Sequence, residues 1–114
     1  MSELKELLTA EDLEQVWEKS KERPVYLFKL STTCPVSAKA FTEFESFLKS
    51  TKEDIEPFFV KVRETRDISD KIAEETEIRH HSPQVLLIKD KEVLWNASHT
   101  KITEESLEAA IQEA

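Results

Sequence analysis

The sequence predicts an α/β protein of three layers, α/β/α, in which a central mixed sheet of four or five strands carries helices on both faces. Three observations point there. Short, nearly continuous apolar runs with β-branched and aromatic members, at 25–30, 58–62 and 84–88, alternate with segments whose apolar residues recur at helical spacing. The run at 92–95 follows the one at 84–88 after only three polar residues, which reads as a hairpin. The chain of 114 residues contains no repeat, linker or low-complexity tract, so one domain over residues 1–114 is expected. The element order is β-α-β-α-β-α-β-β-α.

The elements follow in turn. An apolar patch from Leu4 to Leu8 precedes Thr9, an N-cap with Asp12 three residues on. Leu13, Val16 and Trp17 then recur at helical spacing, giving a helix over 10–20 that Arg23-Pro24 ends. The run at 25–30 suits a central strand covered on both faces. Ser31-Thr32-Thr33-Cys34 leads into a second helix with Pro35 at its first position, where a missing N–H costs nothing. Phe41, Phe44 and Leu48 form its apolar face, with Val36, Ala40 and Phe47 beside it. Glu56-Pro57 opens the next strand, and a third helix is expected over 68–76, capped by Asp67. Lys89-Asp90-Lys91 turns the hairpin, Trp95 packs under the last helix, and Thr103 caps that helix, which carries Leu107, Ala110 and Ile111 inward.

Composition excludes several functions. Sixteen basic and 24 acidic side chains leave a net charge of −8, the wrong sign for a nucleic-acid backbone or an anionic membrane surface. No apolar stretch approaches the length of a membrane span, and Met1-Ser2-Glu3-Leu4-Lys5-Glu6 does not begin like a signal peptide. A lone cysteine, Cys34, cannot form an internal disulfide, so a cytoplasmic protein with a reduced thiol, acting as a monomer, is expected. The absence of glycine excludes phosphate-cradling and dinucleotide loops, which need a close backbone approach. Three histidines, His80, His81 and His99, lack metal-ligand spacing, and no metal site is expected.

Cys34 carries the chemistry. It stands between a buried strand and a helix N-terminus, where free backbone N–H groups and the positive end of the dipole favour thiolate over thiol. The bland alternative is an inert, apolar helix cap. Ser37 occupies the place where Cys-x-x-Cys redox proteins of the thioredoxin and glutaredoxin families carry a second sulfur. A hydroxyl cannot resolve a mixed disulfide, so any redox cycle needs an external thiol. Ser37 read blandly is a hydrophilic residue in a first helical turn.

Thr33-Cys34-Pro35-Val36-Ser37 resembles the TCPIS motif of the monothiol, or YtxJ-like, bacilliredoxins, with Val36 in place of isoleucine. His80-His81-Ser82-Pro83-Gln84 is similar to that family's H-x-S-P-Q segment, and Trp95-Asn96 followed by His99 to its segment after the hairpin. The resemblance spans nearly the whole chain and implies a thioredoxin-like fold with Pro83 as a cis-proline facing Cys34. It also implies thiol-disulfide exchange with bacillithiol, a small thiol built from cysteine, glucosamine and malate. Cys34 would attack the mixed disulfide on a bacillithiolated client protein, with Thr33, Pro35, Val36 and Ser37 supporting it and His81, Ser82 and Pro83 lining the client groove. His99 would contact the bacillithiol malate or polarise the thiol, the alternative being a surface or structural histidine. Bacillithiol enters as co-substrate, and no tightly bound cofactor is implied.

Two readings compete. Monothiol glutaredoxins can share an iron–sulfur cluster between two subunits, but they usually carry Cys-Gly-Phe-Ser, and this chain has no glycine. A thioredoxin-fold adaptor without catalysis would bind partners through the same groove and would not need the sulfur of Cys34.

Overall fold

The computed structural model describes residues 3–114; Met1 and Ser2 of the expected 1–114 domain, and of the leader reading, lie outside the described residues. The sheet has five strands in the order β1-β3-β2-β4-β5: β1 Lys5–Glu6, β2 Val25–Leu30, β3 Glu56–Lys61, β4 Gln84–Lys89 and β5 Glu92–Ser98. The helices are α1 Ala10–Ser20, α2 Pro35–Ser50, α3 Arg66–Thr76 and α4 Glu104–Glu113, with a 3-10 turn over His99–Lys101. Parallel pairing joins β1 to β3 and β3 to β2, and antiparallel pairing joins β2 to β4 and β4 to β5. The sheet therefore reverses direction at the β2–β4 seam, before the hairpin closes it.

Alternation along β2 sorts the core into two layers. Tyr26 and Phe28 face α2 and α4, meeting Phe44, Phe47, Leu107 and Ile111, while Val25 and Leu27 face α1 and α3 with Leu13, Val16, Ile68 and Ile72. The Tyr26 ring packs edge-on to Phe47 at 5.3 Å, and its buried hydroxyl donates to the Leu107 carbonyl at 2.6 Å, which fixes α4 on the sheet. Trp95 packs against this layer from β5.

Pro57 lies inside β3 without breaking it. Glu56 donates its N–H to the Pro24 carbonyl on the β2 side, so the next residue's nitrogen points away from β2. There β1 pairs only with Phe58 and Phe59, and the ladder loses nothing at Pro57.

Several expectations need correction. The α3 N-cap is Thr65, not Asp67, because the helix begins at Arg66; Asp67 falls in the first turn, where its charge still suits the dipole. Strand β5 runs to Ser98 rather than 95, since all of 95–98 pairs with 84–87 beyond a bulge at Leu87/Ile88. Val36 does not join the apolar face of α2: its side chain is 42% exposed, while Ser37, one step round the helix, is buried.

Without glycine, the left-handed conformation falls to other residues: Glu77 at φ 58°, Asp90 at 50°, Lys91 at 64° and His99 at 54°. Such angles cost a residue with a Cβ about 1 kcal/mol or more, and they persist only where neighbours hold them.

Candidate functional site

The N-terminus of α2 presents the thiol. Cys34 is the N-cap, with extended backbone (φ −105°, ψ 121°), and is partly exposed, with Pro35 following at the first helical position. Its side chain makes no capping hydrogen bond, while its carbonyl accepts the Ala38 N–H at 3.0 Å and starts the helix.

Three bonds hold the loop before it. The fully buried Ser37 hydroxyl accepts the Ser31 N–H at 2.9 Å. Thr32 donates its hydroxyl to Glu64 at 2.9 Å, and Arg63 donates to the Thr33 hydroxyl at 3.3 Å. The Thr32 hydrogen bond, together with a backbone hydrogen bond, holds the Glu64 carboxyl below its ordinary pKa. Ser37 is thus a structural member of the loop rather than a polar decoration of a helical turn.

A second wall comes from the segment entering β4. The Ser82–Pro83 peptide is cis, Pro83 is buried, and its carbonyl accepts the His99 N–H at 3.1 Å. His99 takes its left-handed φ at this bond, and its ring meets that of His81 edge-on at 5.5 Å. Val36, Lys39, Ala40, Glu43, His99 and Ile102 help line a cavity of about 210 Å³. The structure therefore joins the α2 turn to His99 through Val36, and His99 to His81 and Pro83. The Ser82 hydroxyl is buried with no protein partner among the described residues.

Sequence reasoning missed the polar groups behind this face. Lys29, fully buried on β2, places its ammonium 3.1 Å from Nδ1 of His80, with the Ser69 hydroxyl 3.5 Å from the same nitrogen. Burial pulls the Lys29 pKa down to about 8, partly countered by Asp70. Burial and then the Lys29 charge lower that of His80. The signal was visible as one cation inside an apolar strand. Among the described residues, no cluster of three His, Cys, Asp or Glu side chains is disposed to hold a metal. None of the described helices is long and apolar enough to cross a membrane.

Chemically, the arrangement offers a partly exposed thiol at a positive helix end, with no second cysteine in the sequence to form a disulfide with it.

Comparison with known proteins agrees with this geometry. The family model described as monothiol bacilliredoxin BrxC matches residues 5–107. A solved structure described as a proposed oxidoreductase with a thioredoxin fold is 36% identical, with a TM-score of 0.84 over 94% of this chain and 92% of that one. Thioredoxin from Fasciola hepatica superposes with a TM-score of 0.77 at 22% identity, covering 96% of this chain and 97% of its own. The reduced thioredoxin pre-protein of Schistosoma mansoni gives 0.76 at 20%, covering 98% of each chain. These two speak for the fold alone. The matched family model covers the strand, the thiol turn, the cis-proline segment and the hairpin alike, and the chain belongs to the monothiol bacilliredoxin family, as a thiol-redox protein of thioredoxin fold.

Proposed function

We propose that the protein removes bacillithiol from client proteins by thiol-disulfide exchange at Cys34, as a cytoplasmic monomer. The observation that carries this reading is the pairing of a partly exposed Cys34 with a Ser37 whose hydroxyl is spent on the Ser31 amide. The Cys34 thiolate attacks the bacillithiol sulfur of a protein–bacillithiol disulfide. The client leaves as thiolate, and a Cys34–bacillithiol disulfide forms. A second bacillithiol thiolate then attacks that disulfide, releasing oxidised bacillithiol and restoring the Cys34 thiolate, so two electrons pass from small thiols to the client. No group within the chain can take over the second step, because Ser37 holds oxygen where dithiol relatives hold sulfur. His81, Ser82 and Pro83 form the wall on which the client segment lies, and Val36 with His99 bounds its apolar side.

Intact mass spectrometry after mixing with a bacillithiolated client tests this. A single bacillithiol adduct on Cys34, lost on adding excess bacillithiol and never formed by Cys34→Ser, is expected. A client stripped equally well by Cys34→Ser, or a wild-type chain that takes up no adduct, ends the proposal.

A further inference from the structure

A second cavity, of about 310 Å³, opens at the start of α3 and is lined by Val62, Arg63, Arg66, Ser69, Asp70 and His80. In a chain of net charge −8 this is a local excess of cations. Arg63 and Arg66 supply the charge of its wall, with the His80 ring beside them and the buried Lys29 ammonium behind that ring, against the single carboxylate of Asp70 among the lining residues. That carboxylate lies 3.6 Å from Arg66, both groups largely in solvent. The cavity also touches the thiol loop, since Arg63 donates to Thr33, the residue before Cys34.

Helix stability accounts for these charges only in part, through the exposed Arg66–Asp70 pair one turn apart on α3. Arg66 is the first residue of α3, where the dipole disfavours a cation, and the last turn carries Glu74 and Glu75 with no basic residue. A buried lysine likewise costs stability unless its charge is used. An exposed ion pair contributes little, so a cation at the start of α3 and a buried lysine behind it oppose their local rules for small structural gain, as residues at sites do. The cavity beside Val36 and His99 differs in kind: Lys39 is offset there by Glu43, and apolar side chains share the lining.

We propose that the Arg63–Arg66–His80 pocket holds the carboxylate end of the small thiol that exchanges with Cys34, the malate end in the case of bacillithiol. This rests on the exchange reading above and moves the anion site from His99 to the α3 side. Guanidinium groups suit carboxylates through paired N–H donors, and Arg63 spans the distance between the pocket and the neighbour of Cys34.

The test compares rates of Cys34 adduct formation with oxidised bacillithiol and with the disulfide of malate-free cysteinyl-glucosamine, in the wild type, Arg66→Gln and Arg66→Lys. The wild type is expected to prefer the malate-bearing disulfide about tenfold. Arg66→Gln should lose most of that preference and Arg66→Lys keep only part of it, since lysine retains the charge but not the paired donors. A wild-type preference below about twofold, or one untouched in Arg66→Gln, overturns the site. A preference seen only with protein substrates overturns it in favour of an acidic client. Should Cys34 react with neither disulfide, the exchange reading falls, and titration of Cys34→Ser with reduced bacillithiol decides the pocket. Saturable shifts of the His80 ring signals, lost in Arg66→Gln, support it; their absence ends it.

Discussion

The hydroxyl of Ser37 accepts the backbone N–H of Ser31 at 2.9 Å and so closes the seven-residue span 31–37 that presents Cys34. The bond links the end of β2 to the first turn of α2 across the thiol. Ser37→Ala removes the acceptor and leaves the Ser31 amide poorly satisfied. A loss of about 1 kcal/mol, near 5 °C in Tm, is expected, with the adduct on Cys34 still able to form. Thermal denaturation checks the first part and mass spectrometry the second.

Ser37→Cys separates position from chemistry. A sulfur there sits one helical turn from Cys34, as in dithiol relatives, and can attack the Cys34–bacillithiol disulfide from within. The adduct should then disappear without added thiol, leaving an internal bridge between Cys34 and the introduced sulfur, detectable as a loss of two mass units. Persistence of the adduct in this variant would show that the buried 37 position cannot reach the disulfide.

The α/β layering was legible because β2, β3 and β4 are apolar runs separated by helical periods, and only a sheet covered on both faces satisfies both patterns. The thiol turn and the cis-proline segment were legible as motifs. What escaped was set by tertiary contact. Nothing local tells that Ser37 turns inward while Val36 turns out, or that Arg63 reaches back to Thr33 across 30 positions. Asp67 looked like a cap by type, yet the strand-to-helix turn places Thr65 there. Lys29 read as part of an apolar strand, and only the fold shows that its partner is His80.

His99 combines a left-handed backbone with a bond to the Pro83 carbonyl and a ring against His81. His99→Ala keeps the same backbone strain, so its stability should stay within about 0.5 kcal/mol of the wild type. The loss should appear in exchange instead, as a several-fold slower release of client from the Cys34 face. An unchanged rate would make His99 a structural residue only.

Lys29 makes stability depend on pH in a definite sense. Its pKa is about 8 in the folded chain against 10.5 for the ordinary side chain. Between those values the unfolded chain holds a proton that the folded chain has released. Folding therefore gains stability as pH rises through that window, and the penalty is fully present below it. At roughly 1.4 kcal/mol per pH unit the effect reaches at most about 3 kcal/mol. Lys29→Met abolishes it and should be the more stable protein at pH 7. Urea midpoints of the two proteins should converge between pH 7 and pH 10, and a constant difference would contradict this account.

The β4–β5 turn is built without the residue its geometry favours. Lys89 pairs with Glu92, so Asp90 and Lys91 form a two-residue loop, and both have positive φ, at 50° and 64°. That conformation matches the twist of the strands but favours glycine at its second position. The buried Ser20 at the end of α1 holds it instead. The Ser20 carbonyl accepts the Asp90 N–H at 2.7 Å, and its hydroxyl accepts the Lys91 N–H at 3.0 Å. Both bonds use backbone donors, so Lys91→Gly preserves them while relieving the strain. The lost ion pair with Glu18, 3.9 Å apart and half exposed, is worth little. Glycine also loosens the unfolded chain, which leaves a net gain of about 0.5 to 1 kcal/mol. Lys91→Ala retains the Cβ and should gain nothing, so glycine must exceed alanine in Tm, the reverse of their order inside a helix. In Ser20→Ala, which frees the turn, the benefit of glycine should grow.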